Sequence, residues 1–317
     1  VLDDRRATGH SPHAVFGERG KLLNIAFRML GSTPDADEVV QDTYARWFAL
    51  SDEERRAVRS PATWLMRTSG RTCLDHLAAA RTRREQYVGE WLPEPLPGDT
   101  RWNSSARTEW ICDPAEHVTF DESVSMGVMV VLESVTPAER IAFILHDVYD
   151  LPHTEIACVI GRVPPACCQL AASARRHIQE RRHRPVAPEQ HRDVVAALRQ
   201  ACADDDHDAL ADLLDPEVSV RSDGGGKVRA ALRPVHGPEK AARFLLGLLR
   251  PQHGQRLAEE TVSGHPGLAA YVDGEVVAVV ATDVRDGRVC DLWMILNPDK
   301  LHAWRCLQPA RCEQGDG

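Results

Sequence analysis

The hydrophobic period of this chain changes once, just beyond Leu214, and that change limits the architectures open to it. Before it, apolar residues recur at helical spacing. Leu22, Leu23, Ile25, Ala26, Met29 and Leu30 build one helical face, Gly31 to Pro34 breaks it, and a second helix starts at Asp35. A further helix is expected from Pro61 to Glu85, with proline in its first turn where the missing amide costs nothing. Residues 91–97 read Trp-Leu-Pro-Glu-Pro-Leu-Pro, which forbids regular structure, and residues 86–114 read as a linker. From Asp121 to Arg184 the helical spacing returns as four short helices, interrupted at Thr136-Pro137, at Leu151-Pro152 and between Gly161 and Pro165. Beyond Pro185 and Pro188, helical spacing at Val194, Val195, Leu198, Leu210, Leu213 and Leu214 gives way to alternating, beta-branched stretches. These lie at 218–220, 269–272, 276–281 and 289–296, with Asp273-Gly274 and Asp286-Gly287 marking two hairpin turns. The expected fold class is therefore multidomain: two all-α helical domains, the second a helix-turn-helix, followed by an α+β domain with antiparallel strands. The boundaries expected are 10–88 and 115–183 for the helical domains, 89–114 for the linker, and 189–305 for the α+β domain.

Length agrees, since 317 residues correspond to about two or three domains at roughly 100–200 residues each. The nine cysteines form no CxxC pair and no zinc-ligand ladder, and their odd number argues against a full disulfide framework, so a reducing cytoplasm and no metal are expected. Apolar runs such as Met126 to Leu132 and Val276 to Ala281 fall far short of the roughly 20 residues of a membrane span. The opening Val1 to Arg6 is charged rather than a leader, so neither a membrane nor export is expected. A net charge of -9 excludes indiscriminate polyanion binding, but only as an average over segments.

Read by segment, Thr154 to His177 has the spacing of a helix-turn-helix. Ile156 and Ala157 face a core, Gly161 makes the corner, and Leu170 and Ala174 anchor the second helix. Ala166, Gln169, Ser173, Arg176 and His177 are then left to face a major groove, with Arg175 as a phosphate contact. The 61–85 helix carries Arg67, Arg71, Arg81, Arg83 and Arg84 with His76 interleaved, a face able to hold a phosphate backbone, while Trp64 reads as core. Asp35, Asp37, Glu38 and Asp42 crowd the first turns of a helix, where the helix dipole favours them and where, with Gln41, they suit a basic protein partner. The glycines at 224–226 lack the flanking spacing of a phosphate-cradling loop, and no cofactor is expected.

These residues carry a resemblance. Gly31 to Tyr44, Ala62 to Leu65, Cys73 to Leu77, Arg83 to Glu85, Thr136 to Arg140 and the helix-turn-helix are similar to the two domains of extracytoplasmic-function sigma factors, over most of residues 14–183. Three further signatures resemble the subgroup with a fused SnoaL-like domain, a cone of curved sheet and helices: Trp91, Pro93 and Glu94 within Trp-Leu-Pro-Glu-Pro; Asp223, Gly224, Gly225, Gly226 and Lys227; and Asn297, Pro298, Asp299, Lys300 and Leu301. The resemblance implies partners: core RNA polymerase for the 35–48 helix, and promoter DNA for the 61–85 segment at the minus-ten element and for the 163–177 helix at the minus-thirty-five element. It also implies that the C-terminal domain regulates, with the three signatures as contact surfaces.

The sequence departs from the family at Cys168 and Ser173, where arginines are usual, and at Ala78, where a basic residue is common. Three lost cationic contacts of on the order of 1 kcal/mol each would weaken DNA binding by roughly two orders of magnitude. That departure keeps two alternatives open. In one, the cone binds or transforms a small molecule, with Asp223, His236 or Asp291 as general base, His265 as a further candidate, and Tyr271 and Trp293 as walls. In the other, the cone is a ligand sensor without chemistry.

Overall fold

The computed structural model describes residues 12–85, 87–98, 125–181, 186–249 and 255–305. Two compact units emerge. The first holds the helices α1 (Pro12–Gly17), α2 (Arg19–Leu30), α3 (Thr33–Ala49), α4 (Asp52–Ala57), α5 (Pro61–Glu85), most of α6 (Met126–Ser134), α7 (Pro137–Phe143), α8 (His153–Ile160) and α9 (Pro164–Arg181). A π-helical turn at Ile144–Val148 continues α7.

Within this unit α2 is enclosed on every side, because Leu22 to Leu30 are all buried, Asn24 and Arg28 included. The Arg28 guanidinium is satisfied by the side chain and carbonyl of Asn24, each at 3.0 Å, and lies 5.9 Å from the centre of the Tyr149 ring. Burial raises the Tyr149 hydroxyl to about 12, so it stays protonated beside that cation. Gly31 ends α2 in the left-handed conformation, φ 69°, and Ser32 caps α3 by accepting from the Asp35 amide. Trp64 is half-buried, edge-on to the buried Trp47 with ring centres 5.2 Å apart, which is the core role expected of it. Gly70 lets α5 approach α7 and α8 closely: a Cβ there would meet Ile141 at 3.2 Å and Val159 at 3.3 Å.

The second unit consists of residues 87–98, 125–127 and everything described from residue 186 onward. Its elements are α10 (Pro188–Ala203), α11 (His207–Asp212), β1 (Leu214–Asp223), β2 (Val235–His236), α12 (Pro238–Leu249), β3 (Gln255–Val262), β4 (His265–Val272), β5 (Glu275–Arg285), β6 (Arg288–Ile295), a 3-10 turn at Pro298–Lys300 and α13 (His302–Arg305). The sheet runs β2-β1-β6-β5-β4-β3. One sheet face, with Val218, Val220, Leu268, Ala270, Val280, Leu292 and Met294, packs against Val194, Val195 and Leu198 of α10 and against Ala241, Ala242, Leu245 and Leu249 of α12. Each fully buried aliphatic side chain there contributes about 1.5–3 kcal/mol. This is the α+β domain expected as the cone, six strands with helices packed on one sheet face.

Both expected hairpins form, with positive φ at Asp273, Gly274, Asp286 and Gly287. A third, at Ser263-Gly264, joins β3 to β4 and was not anticipated. The sheet also departs from the purely antiparallel expectation, since β1 pairs with β6 in parallel. The long connection through α12 and three antiparallel strands brings the last strand back beside the first in the same direction.

Candidate nucleic-acid interface and linker anchor

The helix-turn-helix is built as its spacing implies. Ile156 and Ala157 are buried, Gly161 turns the corner at φ 72°, and Cys167, Ala171, Ala174 and Ile178 seat α9. Gln169, Arg176 and His177 stand exposed on the outer face of α9, with Ala166 and Ser173 half-buried beside them. The Ser173 hydroxyl bonds Glu139; burial works against that carboxylate's charge, yet hydrogen bonds from Thr136 and Ser173 hold it below its usual range. Arg175 is committed elsewhere, bound through Nε at 2.9 Å and through Nη2 to the buried Asp147 carboxylate. Cys168 is exposed where the family places an arginine.

On α5, two of the five arginines expected to hold phosphate are engaged by α8 instead. Arg67 pairs with Glu155 at 3.1 Å, and Arg71 donates to the Cys158 carbonyl at 2.7 Å. His76 is half-buried and Ala78 exposed, while the side chains of Arg81, Arg83 and Arg84 lie outside the described residues. On α3, Glu38, Gln41 and Asp42 share an exposed face opposite the buried Val39, Val40, Thr43 and Trp47. Asp35 is half-buried, and Asp37 pairs with Arg19 at 2.8 Å.

In the second unit the three motif segments meet one another. Asp223, fully buried, accepts four hydrogen bonds. Oδ1 receives the Tyr87 hydroxyl at 2.5 Å and the Gly225 amide at 3.0 Å; Oδ2 receives the Leu92 amide at 2.9 Å and Lys300 Nζ at 2.7 Å. Lys300 also donates to the Leu92 carbonyl, and its ammonium lies 4.0 Å from the centre of the Trp91 ring. Asn297 donates to the Tyr87 hydroxyl at 2.9 Å. Burial, with the Asp223 carboxylate next in effect, drives that phenol well above its ordinary range, so it remains a donor. Further along, Leu96 exchanges backbone hydrogen bonds with Ser263, through its hydroxyl and its amide, and Trp304 donates to the Pro95 carbonyl at 2.8 Å. Leu92, Pro93, Glu94 and Leu96 are buried by this docking, and Leu301 is buried as well. Of the motif residues, Gly226, Lys227 and Asp299 are exposed, and Lys227 pairs with Asp299 at 2.6 Å.

The residues considered as general bases do not converge. Both Asp223 oxygens are taken up by four donors, leaving none to receive a substrate proton. Asp291 is aligned with Ser219 and Ile295 with Asp223, four residues apart on β1, or about 13 Å. His236 is exposed at the sheet edge, and the Tyr271 hydroxyl is bonded to Glu260. Trp293 is buried. His265 lies with its ring centre 6.0 Å from that of His191. Asp283, Cys290 and Asp291 bring two carboxylates and a thiol within 4.8 Å of one another. Burial, then the two carboxylates, raises the Cys290 thiol well above its usual range. Among the described residues no single helix is long and apolar enough to cross a membrane.

The family model described as Sigma-70 region 2 matches residues 17–83. The chain is 36% identical over 296 residues to "ECF RNA polymerase sigma factor SigJ" of Mycobacterium tuberculosis, covering 89% of this chain and 90% of that protein. It is 32% identical over 308 residues to "Probable ECF RNA polymerase sigma factor SigI" of the same species, covering 94% and 95%. The crystal structure of Mycobacterium tuberculosis SigJ, described as an extracytoplasmic function sigma factor, superposes with a TM-score of 0.69 at 31% identity, covering 90% of this chain and 96% of that one.

Proposed function

The chain belongs to the extracytoplasmic-function sigma factors of RNA polymerase, and we propose how its elements divide the tasks of promoter recognition and its regulation. The observation that carries the family reading is a single chain holding a region-2 match at 17–83, a helix-turn-helix at α8 and α9, and a fused cone, related over nine-tenths of its length to a sigma factor. Core polymerase and promoter DNA are its partners, which places its work in the cytoplasm.

We assign polymerase docking to the exposed face of α3 at Glu38, Gln41 and Asp42, minus-ten recognition to α5, and minus-thirty-five recognition to Gln169, Arg176 and His177 of α9. Two promoter elements named for positions 25 base pairs apart are separated by about 85 Å of duplex. A structure in which α5 is bonded to α8 at 3.1 Å cannot meet both. Promoter binding therefore requires α5 to leave α8, which frees Arg67 and Arg71 for phosphate. The packed arrangement is a resting state, and its contacts set the free energy of opening.

Regulation is assigned to the cone through the docked segment 87–98, which belongs to the stretch of chain joining α5 to α6. Anchored by Asp223 and Lys300, this segment makes the freedom of the helical domains depend on the state of the cone. Among the described residues, the sheet face packed on α10 and α12 is filled by aliphatic side chains.

The deciding experiment mixes purified full-length protein with core polymerase and measures run-off transcription from a defined promoter. Complex formation and initiation are expected, with Glu155→Gln raising promoter occupancy by releasing Arg67. Failure to bind core polymerase would overturn the assignment of roles.

A further inference from the structure

Three large apolar side chains that remain exposed in the second unit line one cleft. Val88 is 56% exposed, Val228 40% and Leu232 68%, around a space of about 400 Å³. The segment 87–98 supplies one wall and the loop after β1 the other. Gly226 sets how closely the walls approach, since a Cβ there would meet Val88 at 3.2 Å, while one on Gly89 would make only ordinary contact with Leu232 at 3.6 Å. Both also sit at positive φ, 70° and 86°, where a side chain would add strain.

Charge is placed at the margin. Lys227 and Arg229 line the same cleft. Lys227 is balanced by Asp299, while Arg229 is exposed and, among the described residues, has no hydrogen-bond or ion-pair partner. An aliphatic floor with an exposed guanidinium at its edge suits a molecule with one anionic head and a hydrocarbon body. The volume lies in the range of small-molecule sites, about 300–1,000 Å³. A nucleic-acid backbone would find too few cations here and an apolar floor that offers it nothing.

We infer that the cleft between the docked linker segment and the glycine loop binds a small amphipathic carboxylate, with its head on Arg229 and its tail on Val88, Val228 and Leu232. Such a ligand touches both walls at once. It therefore reinforces the hold that Asp223 and Lys300 already exert on the segment, and it acts as an effector of linker docking. This goes beyond the sigma-factor reading and does not need it.

The experiment uses the full-length chain without polymerase or DNA, and its failure would leave the promoter assignment standing. Calorimetric titration with n-decanoate is expected to show one saturable site, with acetate and 1-decanol at least about tenfold weaker, a difference of roughly 1.4 kcal/mol each. Arg229→Gln and Leu232→Ser, both at exposed positions and so compatible with folding, are each expected to weaken decanoate about tenfold. Hydrogen exchange at the amides of 88–92 is expected to slow when decanoate is bound. The site is refuted by an absence of saturable binding, by equal binding of decanol and decanoate, or by unchanged affinity in both variants. Binding without slower exchange refutes the effector role. Capture of an acidic peptide with no response to decanoate shows a protein-docking surface instead and also overturns the inference.

Discussion

Replacing Asp223 with alanine removes the acceptor that joins three segments of the chain. The side chain of Lys300 is 8% exposed and that of Asp223 is not exposed at all, so the variant leaves an ammonium in the interior without its counter-charge. Breaking a buried pair from one side costs about 3–5 kcal/mol. The Tyr87 hydroxyl and the Leu92 and Gly225 amides lose their acceptor too, at about 1–3 kcal/mol for each that stays buried. These costs do not add, because the segment can undock and admit water to all four donors. The free energy of docking caps the loss, and release is the expected response. A loss of about 3–4 kcal/mol multiplies the population of the open segment by roughly 10² to 10³. Hydrogen exchange with mass spectrometry reads this at Leu92 and, more tellingly, at Leu96, whose amide is held by Ser263, a contact the substitution leaves alone. Both amides should accelerate together. Lys300→Met removes the stranded charge, so the double variant should lose less than the sum of the singles, with a coupling of about 2–3 kcal/mol. Acceleration at Leu92 alone would show that the segment does not move as a unit. Strict additivity would show that the pair is not the anchor.

Three other outcomes follow from the same geometry. His191 is buried against Thr282 at 2.8 Å, and burial, then the neighbouring His265, lowers its pKa to about 4. A depressed histidine keeps its full stability contribution above the unfolded value near 6.5 and loses it as pH falls toward 4, by about 3 kcal/mol. Urea unfolding of wild type and His191→Gln between pH 7 and 4 should show this difference in slope, and parallel profiles would refute it. Cys168→Arg restores an exposed cation on the reading helix and should tighten promoter binding about tenfold while steepening its salt dependence by about one charge, measured by anisotropy at several salt concentrations. Gly225→Ala puts a Cβ 2.3 Å from the Asn297 amide at φ 60° and should lower the melting temperature of the cone by several degrees, whereas Gly247→Ala, with open space around it, should not.

Much of the helical half was legible because its determinants are local. Pro61 opens α5 where expected, Gly31 and Ser32 mark the first break, and Gly161 turns the reading corner. The Asp-Gly hairpins were legible for the same reason. Ser263-Gly264 lacks the acidic residue that usually signals such a turn, and β3 is an edge strand whose charged residues blur its alternation, so neither carries a clear mark in the sequence. The parallel pairing of β1 with β6 is a property of the whole topology, and no window of sequence contains it. Asp223 shows the same limit at the level of chemistry. Its residue type suggested a base, but its partners lie 77 and 131 residues away, and only their convergence makes it an anchor. Arg67, Arg71 and Arg175 were recognisable as cations, while the carboxylates and carbonyls that occupy them sit on distant helices.

The segment 87–98 is completed by residues that the ribosome makes much later. Leu92 emerges some 200 residues before Lys300, which at about 5–20 residues per second is a wait of roughly 10–40 s. During that interval Trp91, Leu92 and Leu96 have no cone to cover them. Chains cut short within the last strand or the turn that follows it would carry this apolar stretch permanently bare, so nascent or truncated forms should be clients of holding chaperones in a way the finished molecule is not.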